Sequence, residues 1–162
     1  MILVTGGTGL VGSHLLYNLI ANGKHVRAIY RREKTMQRTK NVFSYYSENF
    51  DALFNKIEWV EADVTDIPKL QIAFKGVTQV YHCAAMVSFE PDKYKILRKI
   101  NIEGTANVIA AAVAAGAGRM VHTSSFVVWG FHDSTINEST PWTSADDEWI
   151  NYLRTKRIAE RQ

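Results

Sequence analysis

The stretch VTGGTGLVGSHLL, Val4 to Leu16, sets closely spaced glycines between a short apolar run and an amphipathic one. Gly7, Gly9 and Gly12 satisfy G-x-G-x-x-G, and Gly6, Gly9 and Gly12 also satisfy G-x-x-G-x-x-G. ILVT (2–5) reads as a strand. LVGSHLLYNLIANG (10–23) reads as a helix, with Leu15, Leu16, Leu19 and Ile20 on one stripe and Asn22-Gly23 as its stop. A strand that passes into a helix through residues without Cβ atoms brings bare backbone N–H groups and the positive end of a helix dipole to one place. Such a place attracts a pyrophosphate, so the loop predicts dinucleotide binding. A tight turn that needs glycine for shape alone is the competing explanation.

Beyond the loop the chain alternates. HVRAIY (25–30), KIEWVEA (56–62), TQVYHCAA (78–85) and RMVHTSS (119–125) are rich in Val, Ile and aromatics and read as strands. DIPKLQIAFKG (66–76), with Asp66 as N-cap and Gly76 as stop, and a long stretch from about 91 to 116 read as helices. Residues 31–55 are irregular, with room for a short aromatic helix in VFSYYSENFDALFNK, and Asp146 and Asp147 suit the start of a last helix. This β-α rhythm predicts an α/β fold, a Rossmann-type doubly wound parallel sheet of about five strands with helices on both faces. At 46% apolar and 22% charged, residues 1–162 are expected to form one NAD(P)-binding domain.

Cys83 is the single cysteine, and MILVTGG carries no basic n-region. No apolar run approaches the ~18 to 20 residues of a membrane span. A cytoplasmic protein is therefore expected, with no membrane partner. His14, His25, His82, His122 and His132 show no ligand spacing with Cys83 or with one another, so no metal is expected. His82, at a strand end, is expected to be buried and hydrogen-bonded.

Residues 1–40 hold seven Lys/Arg against Glu33 alone, a local charge of +6, while the rest of the chain is −3. The second strand ends AIYRR, with Tyr30 where NAD-binding folds carry a carboxylate for the ribose, followed by Arg31 and Arg32. Two guanidinium forks beside that ribose suit a 2′-phosphate, so NADP is expected, with NAD as the alternative. The plainer outcome is that both arginines point into water. Asp63, in EADVTD, either accepts from an adenine amino group or is a surface loop acid. No nucleic-acid partner is expected, because aromatics are not interleaved with the basic residues at 24–40.

Tyr152 and Lys156 stand four apart in NYLRTKRIAERQ, on one face of a helix. Chance supplies such pairs, and Tyr30/Lys34 is another. Order distinguishes them: TGGTGLVG (5–12), DVTD (63–66), HCAA (82–85), NIEGTANVI (101–109), TSSFVVWG (123–130) and YLRTK (152–156) follow one another as in the extended short-chain dehydrogenase/reductase family, which the chain resembles over essentially its whole length. That group includes nucleotide-sugar epimerases and dehydratases and dihydroflavonol-reductase-like enzymes.

The resemblance implies that Gly6, Gly9, Leu10, Val11 and Gly12 form the pyrophosphate loop. Asp63 and Val64 would meet the adenine, and Cys83, Ala84 and Ala85 would line the cofactor. It places Asn101 near the active site and implies Ser125, Tyr152 and Lys156 as catalytic residues, with Ser124 as the neighbouring register. A phenol is a poor base at neutral pH, and an adjacent ammonium favours its charged form. Lys156 would also hold the nicotinamide ribose, and Ser125 would hydrogen-bond the substrate oxygen. Family members continue well beyond this length, so the last strands and the substrate region are expected to be missing. The chain would then be the cofactor portion of a larger enzyme, poorly active by itself. Three activities remain open: an NADP(H)-dependent oxidoreductase on an alcohol/carbonyl pair, a nucleotide-sugar epimerase or dehydratase using bound NAD, and a non-catalytic dinucleotide sensor. Relatives of this kind pair through the helices holding Asn101 and Tyr152, which makes a homodimer one expected arrangement.

Overall fold

The computed structural model describes residues 1–130, 132–142 and 151–162. Five parallel strands form one sheet in the order β3-β2-β1-β4-β5. β1 (Ile2–Thr5) is central, flanked by β2 (Val26–Tyr30) and β4 (Gln79–His82), with β3 (Glu58–Glu61) beyond β2 and β5 (Arg119–His122) beyond β4. The register sets Ile2 opposite Val26 and Gln79, and Thr5 opposite His82. Chain order turns back at β1, so the carboxyl ends of β1, β2 and β4 border one crevice, where α/β sheets bind ligands.

The side-chain alternation of β1 explains why both faces are covered. Val4 packs with Leu16, Leu19 and Ile20 of α1 (Leu10–Ala21) and Phe43 of α2 (Met36–Ser44), while α3 (Phe50–Phe54) supports the same side through Leu53 and Phe54. Leu3 packs on the other face with Leu70 and Ala73 of α4 (Ile67–Ala73) and with a later helix. The Asp66 carboxylate accepts from Lys69 N at 3.1 Å and caps α4 as expected. Gly23 and Gly76, at φ +70° and +71°, follow the first and fourth helices as the stops the sequence implied.

Three local expectations are corrected. Residues 31–55 hold two helices, α2 and α3, rather than one. The helical run near 91–116 is not uniform: a 3-10 turn (Pro91–Lys93) leads into α5 (Tyr94–Leu97), a π-helical segment (Arg98–Glu103) and α6 (Gly104–Ala114). Gly104 opens α6 at its closest approach to Val64, whose Cγ2 would lie 2.6 Å from any added Cβ. The strands are also shorter than their apolar runs. In TQVYHCAA the ladder ends at His82, because Ala84 N turns to the Thr5 hydroxyl at 3.2 Å and Met86 N to the Asn101 side chain at 2.8 Å. The last helix, α7, is Asn151–Glu160. Asp146 and Asp147 lie outside the described residues.

Candidate functional site

The glycines of the loop differ in what surrounds them. Gly6 has φ +69°, and a Cβ there would stand 2.6 Å from the Ala84 backbone nitrogen. Gly12 sits under the loop, where a Cβ would overlap the Gly6 carbonyl oxygen. These two are required by packing alone. Gly9 is different: a Cβ would meet only the Gly6 oxygen, at 3.2 Å. Gly9 is the N-cap of α1, no side chain caps that helix, and its first turn carries no acid, so its N–H groups face outward with their dipole. Leu10 and Val11 are exposed beside them. Thr39 of α2, fully buried, donates to the Gly7 carbonyl at 2.9 Å and ties α2 to the loop.

A cavity of about 420 Å³ opens at this place. Gly6, Thr8 and Gly9 form one wall, Ala62 and Val64 another, and Cys83, Ala84 and Ala85 a third. Tyr30, Arg31, Arg32 and Arg38 crowd its far end, and no carboxylate is among its described lining. Arg38 comes from α2, which the Thr39 bond holds against the loop. Asp63 does not line the cavity: its Oδ1 accepts from Thr65 N and Oγ1, both at 2.8 Å, and its Oδ2 stands 3.7 Å from Arg31. Val64 is held by Asn107 of α6, whose Nδ2 donates to its carbonyl at 3.0 Å.

Ser125, Tyr152 and Lys156 lie outside that lining, around the ends of β5 and α7. Lys156 is 1% exposed, and its Nζ donates to the Thr123 carbonyl at 2.9 Å and meets His122 Nε2 at 3.2 Å. Burial holds its pKa below the ordinary lysine value, opposed by the Glu160 charge. Tyr152, on the same helix, packs edge-on against Phe89 with ring centres 5.8 Å apart. Ser124 donates to the Glu160 carboxylate, whereas the half-buried Ser125 side chain makes no hydrogen bond among the described residues. Asn101 is buried and fully engaged: it donates to the Met86 carbonyl at 2.9 Å and to Thr155 at 3.1 Å, and accepts from Met86 N. Rather than facing the cavity, it joins the loop after β4 to α7.

The profile of the NAD dependent epimerase/dehydratase family matches residues 2–162. The chain belongs to this family. Among curated relatives it is 32% identical over 158 residues to "Sterol demethylase protein B" of Methylococcus capsulatus, covering 98% of this chain and 44% of that one. It is 36% identical over 126 residues to "Cinnamoyl-CoA reductase 1" of Oryza sativa subsp. japonica, covering 78% and 34%. Among solved structures, MoeE5 in complex with UDP-glucose and NAD superposes with a TM-score of 0.77 at 27% identity, covering 99% of this chain and 46% of that one. The chain spans less than half the length of each.

Several residues around the cavity stand out only in the structure of this epimerase/dehydratase family member. Arg38, Thr35 and Thr8 line the cavity, Thr39 and Asn107 brace its walls at Gly7 and Val64, and His122 meets Lys156 outside it. The cluster of basic residues at 31–40 was the available signal for Arg38; the others take their places only through tertiary contacts. His82 is where the sequence put it, fully buried between Thr5 and Thr105. Among the described residues, no helix is long and apolar enough to cross a membrane and no cluster of three or more His, Cys, Asp or Glu could hold a metal.

Proposed function

We propose that residues 1–162 are the NADP(H)-binding domain of an oxidoreductase acting on an alcohol/carbonyl pair. The observation that carries this is the far end of the cavity, where Arg31, Arg32 and Arg38 surround the tip of β2 and Tyr30 replaces an acid. Arg31 stands 3.7 Å from Asp63, while Arg32 and Arg38 form no ion pair among the described residues and suit a dianionic 2′-phosphate. The open N–H groups of α1 and the bare Gly9 backbone fit a pyrophosphate.

When bound, a nicotinamide supplies hydride or accepts it. The chain's own residues handle the oxygen. Ser125, its hydroxyl uncommitted, donates to the substrate oxygen, and Tyr152 moves the proton there. The Lys156 ammonium, on the same face of α7, stabilises negative charge on the phenol oxygen and orients the ribose.

A second reading, a nucleotide-sugar epimerase or dehydratase using NAD, draws on the solved neighbour that holds UDP-glucose with NAD. Titrating the protein with NADP and NAD separates the two. NADP is expected to bind at least about tenfold more tightly, a difference of ~1.4 kcal/mol, and Arg32→Ala/Arg38→Ala to erase that advantage while leaving Tm close to wild type. Equal affinity for the two nucleotides, or a preference that survives the double substitution, would favour the NAD-dependent reading.

A further inference from the structure

An ammonium has three N–H groups and no lone pair. Lys156 commits one to the Thr123 carbonyl at 2.9 Å and one to His122 Nε2 at 3.2 Å. Both acceptors belong to the end of β5, so two donors are spent on the sheet and one is left over. We propose that His122 is a positioning residue for Lys156: its Nε2 lone pair, with the Thr123 carbonyl, fixes the ammonium so that the third N–H is directed at the reacting groups. The purpose of that third N–H rests on the oxidoreductase reading above.

Donor counting sets the proton on each ring of the pair beneath Lys156. The rings of His82 and His122 lie 5.2 Å apart, tilted by 32°. Thr105 donates its hydroxyl to the Asn101 carbonyl at 2.7 Å, so its oxygen can only accept from His82, 3.0 Å away. His82 therefore carries its proton on Nε2, and its Nδ1 accepts from the Thr5 hydroxyl at 2.6 Å. His122 is the reverse. Its Nε2 must keep a lone pair for Lys156, which leaves the proton on Nδ1, a buried atom with no partner among the described residues.

A buried N–H without an acceptor is costly. The opposite tautomer would pair no better and would turn an N–H against the ammonium, so the bond to Lys156 selects the arrangement. Protonating His122 would set two cations 3.2 Å apart. Burial first, and the ammonium second, hold its pKa down to about 4, which keeps the lone pair in place at neutral pH. Among the described residues, the other titratable groups acting on the pair are Glu160 on α7, His82 at the end of β4 and Cys83 just after it. Glu160 and Cys83 favour a charged Lys156, and burial opposes it.

Nitrogen-15 NMR of the histidines in the 162-residue protein at neutral pH gives the first test. His122 is expected to show an unprotonated Nε2 and His82 an unprotonated Nδ1. The second test follows the pH titration of the Lys156 ε-carbon in carbon-13 lysine-labelled wild type, His122→Gln and His122→Leu. The Gln carbonyl oxygen can accept the same N–H, and Leu cannot. Leu is expected to move the Lys156 titration to lower pH, and Gln to hold it near wild type. A proton on Nε2 of His122, a Leu variant that titrates like wild type, or Gln and Leu shifts of equal size would each overturn the proposal. If the Leu variant does not fold, the wild-type tautomer decides alone. Neither measurement needs a nucleotide. A chain that binds no dinucleotide yet shows both signatures keeps the His122 hold and loses the redox reading; a chain that binds NADP without them does the opposite.

Discussion

A Cβ on Gly12 would overlap the Gly6 carbonyl oxygen, whereas one on Gly9 would touch that same oxygen at 3.2 Å and nothing else within 4 Å. The two positions therefore predict different failures. Gly12→Ala should destabilise the fold by about 1–3 kcal/mol, the usual range for overpacking, seen as a lower urea midpoint. Gly9→Ala should lower that midpoint less than Gly12→Ala does and, on the proposed function, weaken dinucleotide binding by about tenfold or more, because the methyl crowds the backbone at the start of α1 where a pyrophosphate would sit. His82 makes a prediction about acid. Burial is the main reason its pKa falls from 6.5 to about 3, with His122 and Lys156 adding to the shift. The unfolded chain therefore binds a proton that the folded chain refuses between these two values. Stability from a neutral His82 is complete above the unfolded value and is lost as pH falls toward the folded one, by about 1.4 kcal/mol per pH unit for one such group. Urea unfolding of wild type and His82→Gln across that window should show the steeper acid loss in wild type.

Polar contacts tie α7 to three other parts of the fold. Lys156 holds the end of β5, Thr155 receives a bond from Asn101, and the Arg157 Nε donates to the Val128 carbonyl at 2.7 Å. Arg157 and Arg161 also stand over the Trp142 ring, at 5.7 and 4.8 Å from its centre. Asn101 is the joint between this helix and the loop carrying Cys83, Ala84 and Ala85, and it sits in a π-helical segment of the kind that recurs at functional sites. Asn101→Ala should remove the partners of the part-buried Met86 N and Met86 carbonyl, at a cost of about 0.5–1.5 kcal/mol per bond, and loosen both elements together. Hydrogen exchange should show faster exchange in residues 84–86 and in α7 alike; faster exchange in only one of them would mean that Asn101 does not couple them.

At the scale of the whole molecule, the sheet ends on β5, where Val121 is 43% exposed and Phe126 just beyond is 77% exposed. An edge with open backbone groups and apolar side chains invites pairing with another strand. Val121→Lys should therefore lower concentration-dependent association of the chain, measured by sedimentation velocity, without loss of fold. The strands, the glycine loop, the Asp66 cap and the stops at Gly23 and Gly76 were legible in the sequence, because each is written in adjacent residues whose local preferences agree with the fold. Asn101 was legible as a position and not in its contacts, since its partners Met86 and Thr155 lie 15 and 54 residues away. Thr39 and His122 were hidden for the same reason, since nothing near them in the chain announces a neighbour contributed by another element, whereas Arg38 was legible only as one member of a basic cluster. The backbone contact between Gly6 and Ala84 carries the same lesson into biosynthesis. The cradle's two walls are made nearly eighty residues apart, so a nascent chain that has not yet reached Ala84 lacks the second wall, and any ligand capture there can only follow closure of the sheet's central three strands.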